Sequence, residues 1–439
     1  MLSTQQQFEI NTILPPLTVE TLVNGGAGLA RYEGRVVFIP HAAVDDVVRC
    51  RITKVKKNFL EAEVVELVKS SPLRQQPKCP VAGDCGGCQW QHLPYSEQLH
   101  WKEALFKQTL IRQCKIPSAK ILPIIPAADE WNYRSRVQIK CRNTRAGFVT
   151  GFYRPKSHFV VPMEQCPVIA PELNSLLIRL RNIINFTTYA DHIPQLDLAV
   201  DDRKQCSAVI HYFGPHFSAL VDLLKGENLS ADLLIQLESK GELIKICGDG
   251  VLQISVDQPA IKLNYRAGSF AQINLAQNRT LVELALNLAE LTGREQVLDL
   301  YCGMGNFSLP LARRVGQVVG VEESAVSINL ARDNSRLNKI DNLEFFNRTA
   351  AGALSDFSQL HSIDLLLLDP PRSGALAIMN ELLKIPVKRV LHVSCDPQTL
   401  ARDVKILVNG GYELISSQPL DMFPQTHHCE SITLLQYSG

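Results

Sequence analysis

Three short runs in the last third of the chain carry residues able to do covalent chemistry. They are Asp369 in LLLLDPPRSGA, Cys395 in VSCDP and Glu430 in HHCESITLL. A polar residue directly after a buried strand of an open α/β sheet stands in the ligand crevice, so Cys395 is a candidate nucleophile and Asp369 a crevice carboxylate. Free cysteine is among the most buried residue types, and a lone strand-end cysteine is commonly structural. Here Pro397 ends the strand abruptly and DPPR precedes it by about one βα unit. Glu430 opens the final hydrophobic strand, where a carboxylate is costly to bury unless it has a role.

A second constellation lies upstream. The strand QVLDLY runs into CGMGNFSLPLA, a Gly turn opening a helix, with Gly303 and Gly305 allowing close backbone approach to a ligand. Position 308 is Ser308, so the third glycine of the dinucleotide fingerprint is absent. The next strand, VVGVEES, ends at Glu322, where a carboxylate can hold two ribose hydroxyls or simply favour a helix N-terminus. The pattern D-x-Y-x-G-x-G with this acid fits adenosylmethionine-dependent methyltransferases better than dehydrogenases.

A third set is made of thiols. Cys79, Cys85 and Cys88 form C-x5-C-x2-C in a loop rich in Gly and Pro, and Cys166 follows in EQCPV. Pro80 and Pro167 keep two of the cysteines off helices, while Gly83, Gly86 and Gly87 let the backbone wrap closely. Four thiolates suit a [4Fe-4S] cluster or a structural zinc ion, and the spacing, unlike paired CxxC, favours iron-sulfur. A fourth ligand makes a closed, structural cluster the expectation.

These groups need elements to position them. Residues 14–68 read as five short β runs punctuated by turn residues, a small closed barrel with Lys54, Lys56, Lys57, Asn58 and Phe59 at its last hairpin turn. Residues 71–78 read as a polar linker, and 94–115 as a helix with Leu99, Leu105, Phe106, Leu110 and Ile111 as its apolar stripe. Residues 121–264 are mainly β with one helix at Pro171–Ile184, and from 266 onward helix and buried strand alternate, the pattern of a doubly wound parallel sheet. The fold class expected is β plus α/β. It comprises an N-terminal OB-like barrel (1–70), a central, mainly antiparallel β domain carrying the cysteine loop (71–265), and a C-terminal Rossmann-like domain (266–439). The 94–115 helix is free to pack on the last of these.

The chain has 439 residues, 46% hydrophobic, with 45 Lys plus Arg against 44 Asp plus Glu. Two or three domains are expected at that length. No apolar run approaches a membrane span, and the first residues lack a secretory pattern. With 12 dispersed cysteines, reduced thiols and a cytoplasmic location are expected. Near-neutral charge alone points to a small-molecule enzyme, but it is uneven. Residues 1–70 hold 8 basic and 8 acidic side chains, 71–165 hold 14 and 6, and 166–439 hold 23 and 30, giving 0, +8 and −7. A basic segment beside an acidic remainder suggests an interaction surface on one part.

Taken together, DLYCGMGNFSLPLA, LLLDPPRSGA, VSCDP and HHCESITLL resemble the RNA 5-methyluridine methyltransferase family. With a barrel similar to a TRAM domain and the cysteine set, the likeness runs end to end and is to the branch acting on 23S ribosomal RNA. The resemblance implies a class I methyltransferase fold, S-adenosyl-L-methionine as methyl donor and a [4Fe-4S] cluster on Cys79, Cys85, Cys88 and Cys166. It implies Cys395 as nucleophile toward uracil C6 and Glu430 as the base removing the C5 proton. Gln272, Tyr301, Asn306, Glu322, Thr349 and Asp369 would hold the donor. Two departures stand out: the family commonly has Asn where this chain has Thr349, with Asn347 two residues earlier, and its SCNP is here SCDP, with Asp396. A flipped base would meet aromatic and basic residues in WNYRSRVQIK (Trp131, Tyr133, Arg134, Arg136) and GFYRPKSHF (Phe152, Tyr153, Arg154, Lys156). Beyond the RNA, the sequence gives no reason to expect a membrane or an obligate protein partner. An RNA cytosine-C5 methyltransferase and a non-catalytic iron-sulfur RNA-binding factor are the alternative readings.

Overall fold

The computed structural model describes residues 8–439 apart from 216, 238–240, 242 and 361; side chains 358–360 are also left undescribed. In the N-terminal part the run LTVETLV divides, because its two halves pair with different neighbours. Leu17–Thr18 lies antiparallel to Val47–Val55, and Thr21–Leu22 antiparallel to Gly28–Tyr32. The five expected runs thus become six strands, and the two-residue halves of the split run form both outer strands of the sheet, so its edges are very short. Alternation along Val47–Val55 turns Val48, Cys50 and Ile52 into a core with Val19, Ala30, Val37, Ile39 and Leu60.

The segment after the barrel is not a loose linker. Asp46 is fully buried; its Oδ1 accepts the Ser71 N–H at 2.9 Å, and its two oxygens accept the Arg74 Nε–H at 3.1 and 3.0 Å. Arg74 Nη2 also donates to the His41 carbonyl at 2.6 Å. A buried carboxylate needs a cation and full hydrogen bonding, and here the following segment supplies both.

The helix Tyr95–Cys114 buries Gln98, Lys102, Leu105, Phe106, Thr109, Leu110 and Cys114. The expected stripe is shifted: Leu99 and Ile111 are only half-buried. Phe106, Leu110 and Cys114 enter the core beneath the C-terminal sheet, and the helix packs on the helix Pro397–Asn409.

The central sheet has seven strands in the spatial order 243–247, 231–236, 206–211, 195–200, 136–144, 147–153, 160–162. All its pairs are antiparallel except Cys206–His211 with Ala231–Gln236. That parallel pair needs a crossover, supplied by the helix Phe217–Gly226, which was not expected from the sequence. The helix Pro171–Ile184 is present as expected. The hairpin Val251–Val256/Ile261–Arg266 packs Leu252, Ile254, Leu263 and Tyr265 into the core of the C-terminal sheet, and Asn334 and Asn338 accept the backbone N–H groups of Asn264 and Lys262.

The C-terminal sheet is ordered 343–347, 317–322, 296–300, 365–368, 389–394, 430–437, 412–420. Its first five strands are parallel. Beyond this parallel part, which matches the expected doubly wound pattern, Glu430–Tyr437 lies antiparallel between Arg389–Ser394 and Tyr412–Leu420. Reversal of that strand turns its first residue, rather than its last, toward the edge where the parallel strands end. No helix among the described residues is long and apolar enough to cross a membrane.

Candidate active site

Ser394 ends its strand and pairs with Ser431 of the last strand, whose Oγ donates to the Ser394 carbonyl at 3.1 Å. Cys395 and Glu430 lie one residue beyond this rung on facing chains, so the ladder itself sets their closeness. Cys395 is half-buried and Glu430 buried. Burial pushes the Cys395 thiol up to about 11, aided by the Glu430 and Asp369 carboxylates and opposed by the Arg372 guanidinium. Burial likewise lifts Glu430 well above the usual carboxylate range, with Asp369 adding and Arg372 opposing. Asp369, directly after the strand Leu365–Leu368, is raised to about 6 by burial, with His392 opposing. Cys395 and Glu430 thus share one exposed cation, Arg372. The sequence placed Arg372 at this edge, but its role is visible only once the strands are side by side.

The strand Gln296–Leu300 delivers the glycine turn. Tyr301, Gly303 and Gly305 have φ of 67°, 55° and 93°, and a Cβ on Gly305 would stand 2.2 Å from Leu309 Cδ1, so this glycine is required. Behind the turn, fully buried Asp299 accepts the Ser308 hydroxyl at 2.5 Å through Oδ2, while Oδ1 has no partner. Burial pushes Asp299 up to about 7, against the pull of Ser308. Serine at the fingerprint's third-glycine position therefore serves to hold this carboxyl.

Glu322 ends its strand and accepts the Ser324 N–H at 2.8 Å. Asn347 Nδ2 donates to the Glu322 and Glu323 carbonyls at 3.0 and 2.7 Å. Thr349 is exposed and starts the helix Ala350–Leu360, its Oγ1 accepting the Gly352 N–H at 3.4 Å. Asn306 pairs reciprocally with Asn278 at 2.8 and 2.9 Å, a partner that spacing did not reveal. Gln272 is half-buried just before Asn274, the cap of the helix Leu275–Leu288 that carries Asn278. Asp396 is an N-cap: its Oδ1 accepts the Gln398 and Thr399 N–H groups at 2.8 and 3.0 Å. Asn and Asp cap equally well, so SCDP keeps what SCNP supplies in this respect.

Cys79, Cys85, Cys88 and Cys166 line one cavity with Gln91 and Arg134, and none is in a disulfide. Among the described residues no three His, Cys, Asp or Glu side chains are gathered so as to hold one metal ion. Burial pushes the Cys85 and Cys88 thiols up, Cys88 to about 12, and the Arg134 guanidinium, whose buried Nε has no partner, opposes the rise in both.

Of the aromatic and basic residues expected at an RNA face, Tyr133 is corrected to a core position. It is buried, and its hydroxyl donates to the Pro424 carbonyl at 3.0 Å. Trp131 and Phe152 pack partly against the central core. Tyr153, Arg154 and Lys156 are exposed and, with Gly86, Gly87 and His158, line an open cavity of about 550 Å³. Lys156 bridges to Glu61 of the barrel at 2.5 Å.

The family model described as tRNA (Uracil-5-)-methyltransferase matches residues 94–438, and the TRAM domain model matches residues 16–65. The 23S rRNA (uracil(1939)-C(5))-methyltransferase RlmD of Alkalilimnicola ehrlichii is 33% identical over 96% of each chain. An uncharacterized RNA methyltransferase of Thermosynechococcus vestitus is 34% identical over 96% of this chain and 98% of its own. Among solved structures, the Pyrococcus abyssi tRNA (uracil-54, C5)-methyltransferase in complex with S-adenosyl-L-homocysteine superposes with a TM-score of 0.75 at 24% identity, covering 95% of this chain and 99% of that one. The fold is therefore shared with that enzyme, and the chain belongs to the tRNA (uracil-5-)-methyltransferase family, with a TRAM domain at its N-terminus.

Proposed function

We propose that the chain transfers the methyl group of S-adenosyl-L-methionine to C5 of a uridine in 23S ribosomal RNA, with Cys395 as nucleophile and Glu430 as base. The observation that carries this reading is the single rung that sets Cys395 beside Glu430, both facing Arg372. Uracil C5 is a poor nucleophile. The Cys395 thiolate bonds to C6, and the C5=C6 electron pair moves into the ring carbonyl as an enolate. C5 then attacks the sulfonium methyl carbon, whose bond to sulfur breaks with its electrons left on sulfur. Glu430 takes the C5 proton, the double bond re-forms, and the C6–S bond breaks to return the thiolate. The positive sulfonium and Arg372 both favour the anionic forms of Cys395 and Glu430 that the free site resists.

Tyr301, Asn306, Glu322, Thr349 and Gln272 are assigned to the donor, Glu322 for its ribose, with Asp369 between donor and base. In support, the first four lie on the turns and strand ends at one edge of the sheet. The barrel and the basic region around Tyr153, Arg154 and Lys156 are assigned to the RNA. Cys79, Cys85, Cys88 and Cys166 are assigned to a [4Fe-4S] cluster. The C-x5-C-x2-C spacing, the four unbridged thiols lining one cavity and the Arg134 guanidinium beside them support that reading over zinc. Such a cluster would cross-link Cys166 to the 79–88 loop. Anaerobically purified protein should be brown and lose its colour when Cys88 is replaced by Ser; colourless protein with stoichiometric zinc would overturn the assignment.

The mechanism is tested by two variants. Cys395→Ala should bind RNA but transfer no methyl, a loss of at least about 10⁴-fold. Glu430→Gln should accumulate methylated RNA covalently attached to the protein. A fully active Cys395→Ala protein would refute the assignment.

A further inference from the structure

Glu430 follows residues 421–429, a connection between the last two strands that ties its own backbone at Phe423, Thr426 and His428 and is otherwise held by groups from other elements. Five successive carbonyls are taken by groups from other elements. Gln277 Nε2 donates to Asp421 O at 2.9 Å, Asn274 Nδ2 to Met422 O at 3.3 Å, Lys102 Nζ to Phe423 O at 3.0 Å and Tyr133 Oη to Pro424 O at 3.0 Å. The Gln425 carbonyl accepts the Gln89 and Trp90 N–H groups at 3.1 and 3.0 Å. Gln425 is fully buried with φ of 70°, a left-handed conformation that non-glycine residues adopt only when neighbours impose it.

The neighbour that imposes it is Gln98, also fully buried. Its Oε1 accepts the Gln425 N–H at 2.8 Å, and its Nε2 donates to Gln425 Oε1 at 3.0 Å and to the Leu93 and Trp90 carbonyls at 2.9 and 3.2 Å. One helical turn on, buried Lys102 meets buried Asp421 at 2.6 Å. Two of the polar residues on the buried face of the helix Tyr95–Cys114 thus grip one connection, and through Gln89 and Trp90 that grip reaches the loop carrying Cys79, Cys85 and Cys88.

We propose that Gln98 and Lys102 are positioning residues for the reaction: the strand ladder sets Glu430 beside Cys395, and these two side chains, by fixing the 421–429 connection that leads into Glu430, hold that end of the ladder in place. Neither touches the reacting atoms. The inference rests on the assignment of Glu430 as base. Buried polar groups need partners in any protein, so a purely structural cradle is the competing account. The two differ in which step slows. Misplacing the base leaves thiolate addition and methyl transfer intact and slows the elimination, so covalent protein–RNA adduct builds up. Lost stability alone lowers the melting temperature without changing what accumulates.

The experiment uses the full chain, S-adenosyl-L-methionine and a uridine-containing ribosomal RNA fragment, and reads kcat, the KM for the methyl donor, denaturant-stable adduct and the melting temperature. Gln98→Met keeps the side-chain volume and removes both functions. It should lower kcat tenfold or more, change the donor KM less than twofold and accumulate adduct as Glu430→Gln does. Gln425→Gly, which accepts the left-handed backbone and keeps the N–H bond to Gln98 while losing the Oε1 bond and the buried side chain, should show the same pattern at smaller amplitude, and it carries the test if Gln98→Met does not fold. Gln113→Ala, on the same helix with an exposed bond to Gln398, should match the parent protein. If Glu430→Gln forms adduct while Gln98→Met and Gln425→Gly fold and turn over without it, the positioning proposal is overturned. If Glu430→Gln itself forms none, the fault lies with the assigned base.

Discussion

Cys395 stands among groups that oppose its ionisation: burial and the Glu430 and Asp369 carboxylates raise it to about 11, and Arg372 is the cation that pulls it down. A nucleophile held as thiol in the free protein predicts a pH profile. The thiolate fraction grows with pH, so kcat/KM should climb from neutral toward alkaline pH. Removing the cation that favours the thiolate moves that rise to higher pH, so Arg372→Met should lose roughly tenfold or more at neutral pH and recover part of it as pH increases. An unshifted profile in Arg372→Met would mean that another group sets the limb. Cys395, Glu430 and Asp369 were legible because each follows or opens a buried apolar strand, where a polar side chain has few other places to be. Arg372 was legible as a neighbour only, since its influence on two residues far along the chain exists solely in space. Tyr133 misled because an aromatic among arginines reads as a stacking surface, while its hydroxyl is spent on a buried carbonyl.

At the scale of elements, Asp396 shows how a departure from a family pattern can preserve a physical role. It caps the helix Pro397–Asn409 through two backbone N–H groups. Asp396→Asn should therefore leave stability and methyl transfer within about twofold, whereas Asp396→Ala should cost about 1 kcal/mol of stability, read as a denaturation midpoint. A large activity loss in Asp396→Asn with an unchanged midpoint would assign the carboxylate to chemistry instead. The five parallel strands and their helices were legible from alternation of buried strand and amphipathic helix. The reversed final strand was not, because an apolar strand buried on both faces reads the same in either direction. The helix Tyr95–Cys114 was found, but its stripe was misplaced: periodicity weighs apolar residues, and three of the seven buried residues here are Gln98, Lys102 and Thr109.

Across the whole molecule, the near-zero net charge is a sum over unlike regions, with 14 basic and 6 acidic side chains in residues 71–165. Some of that basicity is internally matched, since Arg154 meets Asp84 and Lys156 meets Glu61. RNA affinity should still fall steeply with salt, with a log–log slope of about −0.7 per phosphate neutralised on a single strand. Titration of Kd against salt checks this, and a flat dependence would remove the central region from the RNA face. The succession of a β region, a second mainly β region and an α/β region was legible in the sequence pattern, but the docking of the barrel was not, because the Asp46 interactions with Ser71 and Arg74 look in sequence like ordinary linker polarity. That docking is supplemented by Trp90, whose Nε1 donates to the Gly26 carbonyl of the barrel at 2.9 Å. A barrel held this way gives the two regions assigned to RNA a constant separation. The second contact then forms at a local concentration set by geometry and not by a tether, and the adjustment of length between the two contacts falls on the nucleic acid. An RNA trimmed below that span should lose the whole avidity gain in one step, where a flexibly tethered barrel would let it decline gradually.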